Sequence, residues 1–183
     1  MRLREHISKS DLYRYYGKSG FTTLLKGYLT SGTIRWHVAF RLVSSANPFG
    51  RLCGCVLWVL SRTRHTIAIS HGAQIGYGLY IGHGGPVIVN KTVKIGDNCN
   101  LSPYRVIGSN SFNAATIGNN VYIGPSVCVV EDVVIGDNVT IGAGSVVTKS
   151  IPSNATAAGN YAKVFNYNNP CRFIQNPWCP SKQ

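Results

Sequence analysis

The amino-acid sequence predicts a mainly β protein whose short parallel strands wind into a β-helix. Three observations support this fold class: aliphatic residues recur every six positions between residues 69 and 147, glycine is abundant at 20 of 183 residues, and charged residues make up only 13%. A period of six fits neither a helix, which has a period of 3.6, nor a hairpin that reverses after a few residues. It fits a chain that turns a corner every six residues, so that three short strands complete one coil.

Thirteen six-residue units follow this pattern, and each opens with an aliphatic residue. The opening residues are Ile69, Ile75, Ile81, Val89, Ile95, Leu101, Ile107, Ile117, Ile123, Val129, Ile135, Ile141 and Val147. Glycine follows the aliphatic residue in eight units, where it accepts corner backbone angles that other residues resist. We expect each aliphatic side chain to point into a stacked core. Thirteen units at three per coil make slightly more than four coils.

Two insertions interrupt the period, and insertions in a solenoid project as loops while the coil beneath continues. The first adds two residues between Ile81 and Val89, around His83-Gly84-Gly85-Pro86. It puts a histidine on a projecting, glycine-rich loop. The second adds four residues between Ile107 and Ile117. It comes a little over one coil later, so we expect it near the same edge as the first.

The segments on either side of the repeats lack the six-residue period. Residues 1–66 are expected to form a basic helical segment, since apolar residues recur there at helical spacing. It contains three helical stretches. The first joins Asp11–Tyr16 and Phe21–Leu29 and is broken by Gly17 and Gly20, and the other two are Arg35–Val43 and Leu52–Arg62. Residues 67–152 would form the β-helical catalytic domain, which ends at Ile151-Pro152. Residues 153–183 are expected to be an irregular tail that packs along the solenoid.

The net charge of +12 is concentrated in the N-terminal segment. Residues 1–66 hold eleven Lys/Arg and two Asp/Glu, a net charge of +9, and the remaining residues carry +3. Such a segment could meet nucleic acid, an anionic membrane or a phosphorylated metabolite, or it could be a solvated helical face. No recognised nucleic-acid-binding module accompanies the charge, so we expect no nucleic-acid partner.

The six cysteines fit neither a zinc pattern nor a disulfide framework. The closest pair is Cys53 and Cys55, and no histidine lies at ligand spacing beside it. We therefore expect reduced thiols and no metal. The N-terminus lacks the apolar run of a signal peptide, and the apolar stretch Cys53–Leu60 is too short to span a bilayer. The sequence predicts a cytoplasmic protein whose basic segment could touch the inner membrane.

Three stretches resemble the hexapeptide-repeat acyltransferases. The run Ile75–Gly85, IGYGLYIGHGG, is similar to their catalytic coil, and the nearest group is the serine-acetyltransferase-like proteins of bacterial surface-polysaccharide gene clusters. The run Ile141–Lys149, with Ile151-Pro152 and Ala157-Ala158-Gly159 after it, resembles their acetyl-CoA coil. The opening run Ser10–Tyr16 resembles the N-terminal segment of the polysaccharide-cluster members. The resemblance implies a left-handed coil, acetyl-CoA as co-substrate, and a homotrimer with active sites in the clefts between subunits.

The resemblance also implies the site residues, with His83 as the catalytic general base. A neutral imidazole, whose free pKa is about 6.5, suits the removal of a proton from an attacking alcohol. The implied acetyl-CoA contacts are Gly124, Pro125, Gly142, Ala143 and Ser145, with Thr148, Lys149 and Lys163 near the adenosine phosphates. The residues expected to contact the acceptor beside the two insertions are Gly82, Tyr77, Tyr80, Tyr104, Asn110, Ser111 and Asn113.

The sequence departs from true serine acetyltransferases at the positions where they hold serine. Gly82 stands where they carry an Asp before the catalytic His, and Ala68 where they carry the Asp that supports the imidazole. The second insertion, Ser109–Ala115, lacks their Arg-His pair. We therefore expect acetyl transfer to a sugar hydroxyl of a glycan or nucleotide-sugar acceptor in surface-polysaccharide synthesis. Serine O-acetylation for cysteine synthesis is the alternative.

A third interpretation is a scaffold or a metal-binding protein, like the γ-type carbonic anhydrases, which need three histidines per site. His71 and His83 lack the spacing of those ligands. We expect His71 to be structural or to face the substrate, and His6, His37 and His65 to have surface or packing roles. The group that orients His83 is left open between a backbone carbonyl and a side chain of a neighbouring subunit.

Overall fold

The structure, a computed structural model, describes residues 5–62, 66–111 and 113–179. Four helices come first: α1 (Glu5–Tyr16), α2 (Phe21–Thr30), α3 (Gly32–Val43) and α4 (Pro48–Arg62). The first predicted stretch is divided between α1 and α2, which the break at Gly17 and Gly20 separates, and α3 and α4 contain the other two. Helix α4 begins earlier than predicted because Asn47 caps it, with Oδ1 accepting a hydrogen bond from Phe49 N at 3.0 Å. No helix in the described ranges is long and apolar enough to cross a bilayer.

Short strands follow the helices and form three sheets, which are the three sides of a solenoid. Sheet A contains β1 (Ile67–Ile69), β4 (Val87–Val89), β7 (Arg105–Gly108), β10 (Cys128–Val130) and β13 (Val146–Val147). Sheet B contains β2 (Gln74–Ile75), β5 (Lys94–Ile95), β8 (Thr116–Ile117) and β11 (Val134–Ile135). Sheet C contains β3 (Tyr80–Ile81), β6 (Asn100–Leu101), β9 (Tyr122–Ile123), β12 (Thr140–Ile141), β14 (Thr156–Ala158) and β15 (Lys163–Asn166).

Each strand pairs in parallel with the strand one coil further along the chain, so equivalent residues stack. In sheet A, for example, Ile69 aligns with Val89 and Val89 with Ile107. The thirteen predicted aliphatic residues all lie on β1 to β13, and all are buried except the half-buried Ile75. The predicted fold class, a left-handed parallel β-helix with a short helical N-terminal segment, is confirmed.

The coil continues beyond Ile151-Pro152, where the sequence predicted its end. Ile151 bridges to Ile135 of sheet B, and β14 pairs in parallel with β12 through Ala157 and Ile141. The chain then reverses, and β15 pairs antiparallel with β14. The expectation of an irregular tail is therefore wrong for residues 156–166. The periodicity concealed this continuation because Ile151 follows Val147 by four residues rather than six, and because the small Ala157 occupies the core position.

Helices α1 and α3 cover the open edge of the first coil. Backbone groups there have no preceding strand to pair with, and side chains take its place. Ser10 Oγ accepts a hydrogen bond from Gly78 N at 2.9 Å, and Asp11 Oδ1 accepts one from Leu79 N at 2.9 Å. Arg41 of α3 donates to two carbonyl oxygens at the end of β2, at 2.9 and 2.7 Å. These side chains satisfy buried backbone groups that would otherwise be unpaired.

The C-terminal segment, residues 171–178, packs on the outer face of sheet C. The ring of Phe173 lies 4.7 Å from that of Tyr122, centroid to centroid. Trp178 N donates to Asn98 Oδ1 at 2.7 Å, and Asn98 Nδ2 donates back to Trp178 O at 3.1 Å. The indole of Trp178 also contacts Tyr13 of α1, with 5.6 Å between ring centroids. The segment therefore joins α1 to the solenoid.

Candidate active site

The first insertion forms a tight loop at the corner between β3 and β4. Residues Gly82–Gly84 make a single 3₁₀ turn, and His83 within it has φ 57° and ψ 6°. A positive φ is uncommon outside glycine, and such a residue typically costs about 1 kcal/mol or more unless its surroundings hold it there. The side chain of His83 is exposed. The corner therefore displays an imidazole at the surface from a constrained backbone.

Neighbouring elements hold this loop from both sides. Below it, Tyr104 N donates to Pro86 O at 2.6 Å, and a Cβ atom at Gly85 would lie 2.5 Å from Pro103 Cβ. Above it, Thr66 Oγ1 donates to the carbonyl of Gly84 at 3.4 Å. Only glycine fits at position 85 beneath the loop, because any larger residue would clash with the next coil.

Arg105 braces the corner directly below the His83 loop. It occupies the inward-facing position that stacks on Val87 and is almost fully buried. Its guanidinium donates to the carbonyl oxygens of Ser102 and Ile123, the latter at 3.1 Å. Burial lowers its pKa to about 9, because the charged form is poorly solvated inside the coil. The arginine thus fixes the start of the turn that carries Tyr104.

Tyr15 of α1 holds the strand that leads into His83. Its hydroxyl accepts a hydrogen bond from Ile81 N at 2.8 Å and lies 3.0 Å from Ile81 O, to which it can donate. It also lies 3.1 Å from His37 Nε2. Burial raises the pKa of Tyr15 well above its ordinary value, so the hydroxyl keeps its proton. Sequence reasoning missed this residue, although it lies within the Ser10–Tyr16 run.

Asp11 contacts His37, the residue that lies beside the Tyr15 hydroxyl, and it also pairs with Arg41. Its carboxylate accepts two hydrogen bonds from Arg41, from Nε at 2.8 Å and from Nη2 at 3.0 Å, and it lies 3.2 Å from His37 Nδ1. Burial alone would raise the pKa of Asp11, but the charges of Arg41 and His37 outweigh it, and the net shift is downward. A buried, charged carboxylate therefore ties α3 to α1, and through Tyr15 to the His83 loop.

Of the residues predicted to contact the acceptor, Gly82, Tyr80 and Tyr104 lie around His83. The Tyr80 ring packs against Gly82, since a Cβ atom there would lie 3.6 Å from Tyr80 Cε1. Tyr104, which is 66% exposed, sits on the same corner one coil below. Tyr77 lies on a different corner, between β2 and β3, where its backbone N–H donates to Asp97.

The second insertion lies at the corner between β7 and β8, at the opposite edge of sheet A from His83. The expectation that the two loops share an edge is wrong, because the second follows a sheet A strand and the first follows a sheet C strand. Asn110, Ser111 and Asn113 are exposed there. Within one chain they cannot reach His83, since a side of the coil is roughly 20 Å long when six residues are extended.

Glu131 organises the second insertion. Its carboxylate accepts hydrogen bonds from Ser111 Oγ at 2.5 Å, Ser109 Oγ at 2.8 Å and Asn110 N at 3.3 Å. These donors, led by the Ser111 hydroxyl, lower the pKa of Glu131 to about 2. The loop is therefore built around a carboxylate that remains charged in mild acid.

The residues expected to contact acetyl-CoA lie on three parts of the solenoid. Gly124-Pro125 and Gly142-Ala143 follow sheet C strands, so their corners stack in one column with the His83 corner. Thr148 and Lys149 are exposed at the next corner, and Lys163 is exposed on β15. Ser145 is fully buried, and its hydroxyl donates to Gly142 O at 2.7 Å and accepts from Gly159 N at 3.1 Å. The Ser145 side chain therefore shapes its corner and is not presented to a ligand.

Residues 114–149 match the family described as bacterial transferase hexapeptide (six repeats). This stretch of the chain therefore carries the sequence repeat of that family. The chain is 36% identical over 104 residues to a serine acetyltransferase of Synechococcus elongatus, which covers 55% of this chain and 43% of the relative. It is 37% identical over 108 residues to a serine acetyltransferase of Helicobacter pylori, and the match covers 57% of this chain and 63% of that relative. It is 37% identical over 125 residues to the galactoside O-acetyltransferase of Escherichia coli K12, and the match covers 60% of this chain and 57% of that relative.

The match thus spans less than two thirds of each of these three relatives. Among solved structures, soybean serine acetyltransferase superposes with a TM-score of 0.74 at 22% identity, over 90% of this chain and 70% of that chain. The Neisseria gonorrhoeae serine acetyltransferase in complex with serine superposes with a TM-score of 0.69 at 22% identity, over 89% and 69%. At this identity the likeness shows the fold alone.

Within the described residues, no acidic side chain hydrogen-bonds His83. Ala68, at the position of the supporting Asp, faces outward from β1 and stacks beside Ile88. Within residues 5–62, 66–111 and 113–179, no side chain hydrogen-bonds the imidazole of His83. Gly82, at the position of the second Asp, is buried. The two carboxylates that the sequence lacks are not replaced by others nearby in the described chain.

The remaining histidines lie elsewhere. His71 is exposed and lines a cavity of about 340 Å³ between α3 and the first coil, together with Arg41 and Gln74. His37 is buried in the Asp11 network, which is a packing role. His65 lies outside the described residues, as does the side chain of His6. No group of three or more His, Cys, Asp or Glu that could hold a metal occurs in the described ranges.

Proposed function

We propose that this protein is an acetyl-CoA-dependent O-acetyltransferase in which His83 is the general base. The observation that carries the proposal is the exposed imidazole of His83, set on a left-handed turn at one end of a column of stacked corners. The curated relatives are serine and galactoside acetyltransferases, which supports the reaction class.

The chemistry needs one base and a means of stabilising an oxyanion. The acceptor hydroxyl attacks the thioester carbon of acetyl-CoA, and His83 takes the hydroxyl proton as the new C–O bond forms. Backbone N–H groups of the glycine-rich corner can donate to the oxygen of the tetrahedral intermediate. When the intermediate collapses, the C–S bond breaks, and the CoA thiolate receives the proton from His83. No covalent enzyme intermediate is required.

Acetyl-CoA would follow the corner column away from His83. Pro125 is half-buried and Ala143 is exposed, and both are uncharged, which suits the pantetheine arm. Gly124 and Gly142 are required by the fold itself, because a Cβ atom would lie 2.8 Å from Ile141 O and 2.9 Å from Ala158 Cβ respectively. Thr148 and Lys149 are exposed on the last coil and Lys163 on β15, and all three would meet the adenosine phosphates. The two lysines would act there as mobile point charges and Thr148 as a neutral hydrogen-bond donor.

We propose a sugar hydroxyl as the acceptor, within surface-polysaccharide synthesis. A zwitterionic amino acid needs a carboxylate to pair its ammonium group, because an unpaired buried charge is costly. Gly82 and Ala68 supply none. A sugar needs neutral hydrogen-bond partners and a flat apolar surface, which the rings of Tyr80 and Tyr104 beside His83 can provide.

Serine O-acetylation is the second candidate, and the comparisons favour it by name. The Synechococcus and Helicobacter relatives are serine acetyltransferases, as are the structural neighbours. The galactoside O-acetyltransferase at 37% identity supports the sugar instead. The absence of both acidic groups is the reason for preferring the sugar.

We propose a homotrimer in which the second insertion of one subunit completes the site of its neighbour. His83 and Asn110 lie at opposite edges of sheet A, so one chain cannot bring them together. The outer face of that sheet carries an apolar column in which Ile88 is 50% and Val106 39% exposed. Burial of this column between subunits would remove apolar area from water and bring the two loops into one cleft.

We further propose that the basic N-terminal segment contacts the anionic surface of the inner membrane. One face of α4 exposes large apolar side chains at helical spacing: Phe49, Leu52, Val56, Val59 and Leu60. The net charge of +9 over residues 1–66 complements anionic lipid. Sedimentation with phosphatidylglycerol vesicles but not with phosphatidylcholine vesicles tests this contact, and Leu52→Glu should abolish it.

The experiment that decides the function is CoA release from acetyl-CoA across an acceptor panel. The panel contains L-serine, neutral hexoses, amino sugars and nucleotide-linked sugars. We expect clear turnover with at least one saccharide and weak or no turnover with L-serine. If kcat/KM for L-serine exceeds that for every saccharide, serine acetylation replaces the sugar. If no acceptor releases CoA, the acetyltransferase proposal is wrong.

A further inference from the structure

We propose that a cavity beside His83 binds a phosphoryl group of the acceptor. This inference rests on the proposed acetyltransferase function and narrows its substrate to a phosphorylated sugar. The cavity has a volume of about 200 Å³ and lies between α1, sheet C and the C-terminal segment. Its lining residues are Arg14, Tyr80, Asn100, Arg172, Phe173 and Gln175.

Arg14 brings a buried positive charge to this cavity. It is only 3% exposed, and its guanidinium donates to three neutral acceptors: Gly78 O at 3.2 Å, Gln175 O at 2.5 Å and Asn100 Oδ1. Burial lowers the pKa of Arg14, because the charged form loses solvation. The guanidinium nevertheless stays charged, since an arginine does not deprotonate in proteins.

Among the described residues, no carboxylate forms an ion pair with Arg14. Asp11, which shares helix α1 with Arg14, already accepts hydrogen bonds from Nε and Nη2 of Arg41 and lies beside His37 Nδ1. The carbonyl and amide oxygens around Arg14 accept its hydrogen bonds, but because they are neutral they do not neutralise the charge of the guanidinium. An anion that entered the cavity would therefore gain a strong Coulomb attraction in a partly desolvated place.

Arg172 adds a second positive charge at the mouth of the cavity. Its side chain is exposed, and its Cζ lies 5.1 Å from the centroid of the Phe173 ring. The backbone beneath it is fixed, because Asn100 Nδ2 donates to Phe173 O at 2.8 Å and the Phe173 ring packs on Tyr122. The cavity lining thus contains two arginines and no acidic residue.

The charge of the lining favours a phosphoryl group over a carboxylate. A phosphate monoester carries roughly −1.5 to −2 charges at neutral pH and offers three acceptor oxygens, whereas a carboxylate carries one charge. The charge of a phosphate monoester therefore balances the two positive charges of Arg14 and Arg172, and that of a carboxylate does not. Arginine forks also bind phosphate oxygens in pairs, and Arg172 has no other charged partner among the described residues.

The position of the cavity assigns it to the acceptor rather than to CoA. Tyr80 lines the cavity, and its ring also packs against Gly82, next to His83. Tyr80 and Asn100 belong to the first two coils, whereas Lys149 follows β13, the fifth strand of sheet A, and Lys163 lies on β15, at the far edge of sheet C. Adjacent strands are about 4.8 Å apart, so these lysines lie roughly 15 to 25 Å further along the axis.

Ligand binding without acetyl-CoA tests this proposal separately from catalysis. Calorimetry would compare glucose 1-phosphate, glucose and glucuronate on the wild type, Arg172→Ala, Arg172→Lys and Lys91→Ala. We expect glucose 1-phosphate to bind best. Arg172→Ala should weaken it roughly tenfold, as expected for one charge-assisted hydrogen bond, and Arg172→Lys should weaken it less. Lys91→Ala removes the same charge from a distant exposed corner and should have no effect.

Three results would overturn the proposal. Glucose 1-phosphate could bind no better than glucose, glucuronate could bind as tightly, or Arg172→Ala could bind it as tightly as Lys91→Ala. A fourth arm uses adenosine 3′,5′-bisphosphate, and its loss of affinity in Arg172→Ala would assign the cavity to CoA instead. None of these outcomes contradicts the proposed acetyltransferase function. That proposal is wrong only if no acceptor in the panel leads to CoA release.

Discussion

The hydroxyl of Tyr15 meets both backbone polar groups of Ile81, with its oxygen 2.8 Å from Ile81 N and 3.0 Å from Ile81 O. These groups face the open edge of the first coil, where no strand precedes β3 in sheet C. One tyrosine from α1 thus replaces a missing strand two residues before His83. The contact gives the helical segment a direct mechanical connection to the proposed base.

Tyr15→Phe should lower kcat by roughly tenfold or more while KM for acetyl-CoA stays unchanged. Loss of the hydroxyl frees Ile81 N and O, so the turn that carries His83 is held less firmly, and small misplacements of a catalytic group are costly. Steady-state kinetics measure the effect, and Tyr16→Phe on the exposed neighbour is the control. Equal kcat in the two variants would show that Tyr15 only supports folding.

His83→Ala and His83→Asn should lower kcat by roughly two to four orders of magnitude, the usual contribution of a general base. His83 is exposed, so neither substitution disturbs the core. CoA release measures turnover, while circular dichroism and light scattering check the fold and the oligomer. Near-normal turnover in either variant would mean that another group takes the proton.

Asp11→Asn should lower the free energy of unfolding by about 3 kcal/mol, as expected when one partner of a buried ion pair is removed. The substitution leaves the buried Arg41 and His37 facing a neutral amide. Denaturant titration measures the loss. Asp132→Asn, an exposed carboxylate, is the matched control and should change stability little. A similar small change for Asp11→Asn would contradict the anchoring role of this carboxylate.

The solenoid could be predicted from the sequence because its information is local. Each aliphatic residue of the six-residue repeat marks a strand, and the core position of Ile123 needs no knowledge of distant residues. The network behind His83 could not be predicted this way, since Asp11 and Arg41 are 30 residues apart and Tyr15 and Ile81 are 66 apart. Pairings across such distances follow from how the helices dock, which periodicity does not encode.

The edges of the two insertions, by contrast, are encoded in the six-residue repeat. Their spacing along the chain predicts that both project, but the edge from which each projects depends on which sheet precedes it. Counting three units per coil from Ile69 puts Ile81 on the third side and Ile107 on the first, so the edges could have been separated by that count.

Ile88→Lys should convert the proposed trimer to monomer and abolish most CoA release. The charge would stand within the apolar column on sheet A, where burial between subunits would leave it unpaired. Val134→Lys places the same charge on sheet B at a side chain of similar exposure, 53% against 50%, and should leave the oligomer intact. Light scattering measures the mass. A fully active monomer would remove the shared site, and a trimer in both variants would move the interface to another face.

The second insertion should keep its shape in mild acid and lose it only at very low pH. The folded pKa of Glu131 is about 2, below the ordinary 4.5, because Ser111, Ser109 and Asn110 donate hydrogen bonds to its carboxylate. A lowered pKa contributes stability that is fully present above the ordinary value and is lost as pH falls through the folded value. Between about pH 5 and pH 3.5 an unperturbed glutamate would titrate, and this one should not.

The amide resonance of Asn110, followed by NMR through this range, tests the prediction. In the wild type it should hold its position to about pH 3.5 and then shift towards a midpoint near 2. Glu131→Gln should remove the shift altogether, because the amide has no proton to gain, whereas Asp132→Asn should leave the curve unchanged. A wild-type midpoint near 4.5 would mean that the serine hydroxyls do not hold the carboxylate. The second insertion would then need another support before it could complete a neighbour's site.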